Sequence, residues 1–198
     1  MKPSNPQNYF QELTRILGET QVTKADGVKM SLEEGSRKAV ELILKVKPSS
    51  TKIMLIGNGG SAAIVSHIQN DLCDAVGVRA IVFNEPAFLT AIANDHGYET
   101  FFNEAVKLWA EPGDLLWAVS SSGKSKNILH ACQTAREKGV QIVTFSGFLP
   151  DNPLRQLGDF NFYMASESYG FVETAHAVLG HYLTDCAMAA KQEAKIRQ

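Results

Sequence analysis

Two short segments of the sequence contain the residue types that an anion-binding loop needs. They read GNGGS (57–61) and SSSGKS (120–125), and each follows an apolar run and precedes a helical pattern. Glycine permits positive φ angles and close backbone approach, and a serine that starts a helix presents its hydroxyl beside free N–H groups. The four hydroxyls of the second segment suit a phosphate monoester, because each phosphate oxygen needs short, fixed donors. We therefore predict that the two segments bind a phosphorylated ligand.

The glycine segment has two other interpretations. Gly57, Gly59 and Ala62 fit the G-x-G-x-x-A pattern of dinucleotide-binding loops, in which Glu85 would be the ribose-binding acid. A glycine turn followed by a helix-capping serine is also common without any ligand. A Walker phosphate loop is excluded, because GNGGSAA has no Gly-Lys-Ser/Thr ending. Neither alternative accounts for the serine segment, so the pair of segments favours phosphate binding.

Two pairs of histidine and carboxylate residues lie at helical spacing. His67 and Asp71 are four residues apart, which places them on one face of a helix. Glu173 and His181 are eight residues apart, and eight steps of ~100° leave an angular difference of only ~80°. Two imidazoles and two carboxylates form a set that zinc accepts, although the same residues also occur as ordinary polar groups on helices. His176, three residues after Glu173, has the simpler interpretation of an ordinary helical histidine that is not a metal ligand.

The elements that must position these residues follow from the hydrophobic pattern. Short apolar runs predict five strands, at 53–57, 79–83, 114–120, 140–146 and 159–165. Amphipathic stretches predict helices between the strands, at 61–74, 86–109, 125–138, 151–157 and 171–190, after two N-terminal helices at 8–20 and 31–46. Nearly continuous apolar strands that alternate with helices indicate an α/β fold with a parallel sheet covered on both faces. Ligands of such sheets bind at the carboxyl ends of the strands, where both loop segments lie.

Composition limits the class of protein. The chain has 198 residues, is 44% hydrophobic and carries a formal net charge of -2, which fits one globular domain and gives no broad attraction to nucleic acid or anionic lipid. The N-terminus has no apolar signal-peptide core, and no segment is long enough to span a membrane, so we expect a cytoplasmic protein. Cys73, Cys132 and Cys186 are widely spaced, which predicts buried free thiols.

Five separately spaced blocks resemble the SIS (sugar isomerase) domain family and, within it, the phosphoheptose isomerases. The blocks are GNGGSA followed by His67, LTAIANDHGYE (89–99), GDLLWAVSSSGKSKNIL (113–129), AREKGVQIVTFSG (135–147) and ETAHAVLGH (173–181). The resemblance covers roughly residues 35–190. It implies a single SIS domain over 1–198 with a flavodoxin-like five-stranded parallel sheet, helices on both faces and residues 1–48 as an N-terminal helical extension. It also implies a homotetramer with active sites near subunit interfaces.

The resemblance assigns roles to particular residues. It implies that the sugar phosphate is bound by Asn58, Gly59, Gly60, Ser61, Asp95, Ser120, Ser121, Ser122, Ser125 and Glu173. It implies that a zinc ion is bound by His67, Asp71, Glu173 and His181. The implied reaction is a ketose-to-aldose isomerisation through an enediol, with Asp71 as base and His181 as the partner acid or base. Sedoheptulose 7-phosphate, converted to D-glycero-D-manno-heptose 7-phosphate, is the expected substrate.

The sequence also departs from the family pattern. Asp71 replaces the usual glutamate, Glu173 replaces the usual glutamine, Ala75 replaces an arginine, and Gly170 and Phe171 replace an Asp-Arg pair. These departures keep open an alternative, a non-catalytic SIS protein that binds a sugar phosphate or assists the bacterial replication initiator without binding nucleic acid itself. All four candidate ligands are still present, which favours the metal-dependent isomerase.

Overall fold

In the computed structural model, which describes residues 5–47 and 49–196, one sheet contains seven strands. The strands are β1 (Gln21–Lys24), β2 (Lys29–Met30), β3 (Ile53–Gly57), β4 (Ala80–Val82), β5 (Leu115–Ser120), β6 (Gln141–Ser146) and β7 (Phe160–Tyr163). Their order is β2-β1-β7-β6-β5-β3-β4, and β4, β3, β5, β6 and β7 pair in parallel. This parallel part has the strand order of flavodoxin, so the predicted α/β class is confirmed.

The N-terminal segment differs from the prediction by a β-hairpin. β1 pairs antiparallel with both β2 and β7 and therefore extends the sheet from five strands to seven. The two predicted N-terminal helices flank this hairpin as α1 (Pro6–Gly18) and α2 (Leu32–Lys45). Residues 1–4 and 48 of the predicted extension lie outside the described residues.

Five further helices follow the hairpin in the described part of the chain. They are α3 (Gly60–Asp71), α4 (Pro86–Asp95), α5 (Phe101–Trp109), α6 (Lys126–Glu137) and α7 (Tyr169–Ile196). The predicted helix 86–109 is interrupted, because Gly97 has a φ of +89° and a 3₁₀ turn spans Tyr98–Thr100. The predicted helix at 151–157 is a 3₁₀ turn, Pro153–Gln156. α3 continues into a π-helical turn, Leu72–Val76.

The sheet is covered on both faces, as the continuous apolar strands predict. Ile53 and Leu55 of β3 face a core formed with α1, α2, α3 and α7. Met54 and Ile56 face the opposite core, formed with α5 and α6. This arrangement leaves α3 and α7 on the same face of the sheet, which matters for the site.

Two observations concern the remaining composition-based predictions. The described part of the chain contains no helix with the length and apolar character that a membrane span needs. The three cysteines are free, but only Cys132 is buried, and burial raises the pKa of its thiol to about 12. Cys73 is exposed, so its predicted burial is wrong.

Candidate active site

The two loop segments face each other across one cavity. β3 and β5 are neighbouring parallel strands, so the loops that follow them meet at the same edge of the sheet. The cavity has a volume of about 280 Å³ and is lined by Asn58, Gly59, Gly60, Ser61, Ser120, Ser121, Ser122, Ser125, Tyr169 and Glu173. Every residue predicted to bind the substrate except Asp95 therefore lines it. Tyr169 was not predicted from the sequence.

Two helices begin beside the cavity, and neither N-terminus is capped by a side chain. Side chains cap α1, α2 and α4, through Asn5, Ser31 and Glu85. α3 and α6, which begin beside the cavity, have no side-chain cap. Free N–H groups and the positive end of the helix dipole favour an anion at such a position. The lining residues include no lysine or arginine in the described part of the chain, so only neutral donors face an anion there.

Glu85 takes no part in this cavity. Its carboxylate accepts a hydrogen bond of 2.7 Å from the Phe88 N–H and caps α4. Hydrogen bonds from the backbone of Phe88 and Ala87 lower the pKa of this carboxyl group. The residue considered as a ribose-binding acid is therefore engaged as a helix cap.

Two asparagines connect the glycine loop to the helix that follows the serine loop. Asn58 Nδ2 donates to Asn127 Oδ1 and Asn127 Nδ2 donates to Asn58 Oδ1, both at 2.9 Å. The Tyr98 hydroxyl donates to Asn58 Oδ1 at 2.8 Å. We call these three residues the amide clamp. The sequence did not reveal the clamp, because its members come from three distant segments.

A buried asparagine supports the serine loop from below. Gly123, with a φ of +63°, packs so closely on Asn152 that an added Cβ would collide with its side chain. Asn152 Nδ2 donates to the Gly147 carbonyl at 3.1 Å and to Ser146 Oγ at 3.2 Å. Glycine is required at 123 both for the backbone conformation and for this contact.

Three of the four predicted metal ligands form a second group. Asp71 Oδ2 lies 3.2 Å from His181 Nδ1 and 3.7 Å from His67 Nε2. The ligand atoms of all three lie within 4.8 Å of one another. Two imidazoles and one carboxylate match the protein ligands of catalytic zinc sites, so the donor set fits that ion. α3 and α7 bring the group together because they pack side by side.

Glu173 lies outside this group. Its carboxylate lies against Gly60, where an added Cβ would be 2.6 Å from Glu173 Cδ and Oε1. The angular projection correctly put Glu173 and His181 on nearby faces of α7, but eight residues of helix also separate them by ~12 Å along the axis. In the single chain the Glu173 carboxylate therefore lies apart from the other three candidate ligands, and its place in a four-residue zinc set stays a prediction.

Asp95 is also separate from the cavity. It is the last residue of α4, it is exposed, and its Oδ1 accepts a hydrogen bond of 2.9 Å from Asn94 Nδ2. The neighbouring residues His96, Gly97 and Tyr98 line an adjoining cavity of about 570 Å³ that shares Asn58 and Ser125 with the first. Within the single chain, Asp95 therefore lies next to the site rather than in it.

The departures from the family pattern have structural counterparts. Phe171 is buried and stacks on Tyr9, with ring centroids 4.4 Å apart, so it joins α7 to α1. Ala75 is exposed in the π-helical turn. Neither position supplies a polar group to the cavity.

Comparison with known proteins places this site in a family. Residues 8–147 match the SIS domain family, and the chain belongs to it. It groups there with the phosphoheptose isomerases. The phosphoheptose isomerase of Thermodesulfovibrio yellowstonii is 33% identical to this chain over 155 residues, which cover 75% of this chain and 77% of the relative. That of Mycobacterium tuberculosis is 33% identical over 161 residues, 78% of this chain and 81% of the relative. The structure of phosphoheptose isomerase from Neisseria gonorrhoeae aligns with a TM-score of 0.79 at 26% identity, covering 92% of this chain and 96% of that one.

Proposed function

We propose that this protein isomerises sedoheptulose 7-phosphate to D-glycero-D-manno-heptose 7-phosphate. The observation that carries the proposal is that α3 and α7 hold both the phosphate-type cavity and the His67–Asp71–His181 group. Gly60 and His67 are seven residues apart on α3, which corresponds to ~10 Å along the helix. A sugar with its phosphate in the cavity extends along these helices toward the three side chains. The kinship with phosphoheptose isomerases supports this choice of sugar.

The reaction moves one proton between neighbouring carbons. A base removes a proton from C1 of the ketose, the enediol forms as O2 gains a proton, and a proton returned to C2 with loss of the O1 proton gives the aldose. Both histidine contacts of Asp71 use Oδ2, which leaves Oδ1 to take the proton from carbon. His181 is the partner that exchanges protons with the substrate oxygens.

Zinc is the ion that we propose for the three-residue group. His67, Asp71 and His181 would hold it and leave a coordination position for a substrate oxygen. When bound, the ion polarises the carbonyl and so acidifies the adjacent C–H group. We also propose that the protein is a homotetramer and that it acts in the cytoplasm.

The decisive experiment is incubation with sedoheptulose 7-phosphate in D₂O, with deuterium at C1 and C2 followed by NMR. The parent chain should incorporate deuterium and form the aldose. Asp71→Asn should reduce the rate by roughly 100-fold or more, because general acid–base catalysis contributes about that much. Asp74→Asn changes an exposed carboxylate close by in sequence and should keep the parent rate.

Metal content, measured on the same samples, separates loss of the base from loss of the ion. Absence of exchange by the parent chain, supplied with zinc, would reject the isomerase. That outcome would favour the alternative of an SIS protein that binds a sugar phosphate without converting it.

A further inference from the structure

Phe148 has an unusual backbone conformation beside the candidate site. It follows β6 at the sheet edge where both loops lie, and its φ of +59° is the only positive φ of a non-glycine residue in the described part of the chain. Two hydrogen bonds fix this conformation. The Phe148 N–H donates to the Ser166 carbonyl at 2.9 Å, and the Tyr163 hydroxyl donates to the Phe148 carbonyl at 2.7 Å. Such strain is costly for a bulky residue and is concentrated at ligand sites, where the surrounding structure holds it.

The strained residue places its ring against Tyr169, the first residue of α7. The two ring centroids lie 4.8 Å apart with an interplanar angle of 73°, which is the edge-to-face arrangement that aromatic pairs prefer. Tyr169 is 60% exposed, and this ring contact limits the directions that its side chain can take. The direction of the Phe148 side chain depends on its φ, so the strained conformation and the position of the Tyr169 ring are linked.

Tyr169 adds a hydrogen-bond donor to a cavity that contains no cation. It lines the cavity together with both loops, and the described lining residues include no lysine or arginine. The Tyr169 hydroxyl has no hydrogen-bond partner in the described part of the chain, so it is available to a ligand. A phenol hydroxyl donates one hydrogen bond, and such a bond to an ionised acceptor is about twice as strong as a bond to a neutral one.

We propose that Tyr169 is a substrate-binding residue whose hydroxyl donates to the phosphate group, and that Phe148 is the positioning residue that holds the Tyr169 ring at the cavity. This inference rests on the proposed sugar-phosphate site. It accounts for the strained backbone of Phe148, because that conformation places the Phe148 ring against Tyr169. It also gives a function to the one lining residue that neither the loop motifs nor the family resemblance indicates.

The test measures binding of sedoheptulose 7-phosphate and of inorganic phosphate to the full chain by calorimetry. Tyr169→Phe keeps the ring and removes only the hydroxyl. Its dissociation constant for each ligand should rise roughly tenfold, because a hydrogen bond to a charged acceptor is lost. Tyr9→Phe is the matched control. Tyr9 stacks on Phe171 outside the cavity, so this variant should bind both ligands as the parent does.

Phe148→Leu tests the positioning role, since it removes the aromatic ring and keeps an apolar side chain. Affinity for both ligands should fall several-fold, because the ring contact with Tyr169 is lost. The same substitution in the Tyr169→Phe protein should have little further effect on binding, since Phe148 acts through the Tyr169 hydroxyl. Phe148→Tyr keeps an aromatic ring at this position and should rescue most of the affinity that Phe148→Leu loses. Thermal melting of every variant checks that the fold is intact.

Binding of both ligands by Tyr169→Phe with the parent's affinity overturns the inference. A loss confined to the sugar phosphate overturns the contact with the phosphate group. Additive effects of Phe148→Leu and Tyr169→Phe overturn the positioning role of Phe148. Failure of the parent to bind either ligand overturns the inference together with the proposed function. Weaker binding by Tyr169→Phe with no isomerisation by the parent supports the inference and rejects only the reaction.

Discussion

His176 is a fully buried histidine beneath the site, and neither ring nitrogen has a well-formed hydrogen bond within the described structure. It lies on α7 against β6, with its ring centroid 5.7 Å from that of Phe145. Burial lowers the pKa of His176 to about 4, and the backbone of Ser146 offsets only part of this effect. An unpaired imidazole in an apolar core is tolerated only in its neutral form.

The buried imidazole makes stability depend on pH. Its pKa is lowered from 6.5 to about 4 in the folded chain, so the unfolded chain binds more protons between these values. The free energy of unfolding should therefore decline as the pH falls from 6.5 to 4, by roughly 3 kcal/mol from this residue. Urea unfolding at pH 7.5 and 4.5 measures the effect.

His176→Phe removes the titrating group and fills the same space beside Phe145. Its loss of stability between pH 7.5 and 4.5 should be smaller than that of the parent by a clear margin. His96→Gln, at an exposed histidine, should follow the parent. An identical pH dependence in His176→Phe and the parent would show that His176 is not the residue responsible.

Among the secondary-structure elements, those with strong periodicity could be predicted and those defined by tertiary pairing could not. β3 and β5 are continuous apolar runs, and the sequence identifies them directly. β2 has only two residues, Lys29 and Met30, and pairs with β1, whose Val22 pairs in turn with Phe162 of β7, 140 residues away in sequence. No local pattern specifies such a pairing.

The site was predictable to a similar extent. Both loops follow strands and carry glycine and serine in a recognisable order, so nine of the ten lining residues were predicted. Tyr98 and Asn127 of the amide clamp were missed because their contacts join residues 40 and 69 positions apart. Glu173 lines the cavity, as predicted for a substrate-binding residue, and its predicted role as a metal ligand is not tested in the single chain.

We expect the amide clamp to set the spacing of the two loops, and Tyr98 offers a test of this role. Tyr98→Phe removes one hydrogen bond to Asn58 and should weaken sugar-phosphate binding several-fold, because such a bond contributes about 1 kcal/mol. The melting temperature should change little, since Tyr98 is 49% exposed. Tyr9→Phe is the control, because Tyr9 lies outside both the cavity and the amide clamp.

A double-mutant cycle separates positioning from general destabilisation. Tyr98→Phe and Asn127→Ala act on the same amide of Asn58, so their effects on sugar-phosphate affinity should be less than additive. Fully additive effects, or an unchanged affinity in Tyr98→Phe, would show that the clamp does not position the loops.

At the scale of the whole molecule, the proposed catalytic group of His67, Asp71 and His181 lies on the surface of the single chain. The side chains of His67 and His181 are 60% and 50% exposed, which is unusual for general acid–base chemistry that benefits from exclusion of water. Val178 and Tyr182, three residues before and one residue after His181 on α7, are 43% and 49% exposed. Apolar side chains grouped on one helix face beside polar functional residues are typical of a subunit interface. We therefore expect a second chain to cover this face and to complete the site, within the homotetramer that the family resemblance implies.

Val178→Glu tests this expectation by placing a charge on the face that we expect a second chain to cover. Light scattering should give a smaller assembly than the parent, because an unpaired charge is costly in a desolvated contact. Isomerase activity should fall strongly, since the catalytic group would stay open to water. Phosphate binding should persist, because the phosphate cavity is formed within one chain.

Leu108→Glu is the control. Leu108 is 74% exposed on α5, on the opposite face of the sheet, so this variant should keep both the assembly and the activity of the parent. A Val178→Glu protein with the parent's mass and rate would place the interface elsewhere and require the exposed group to work within a single chain.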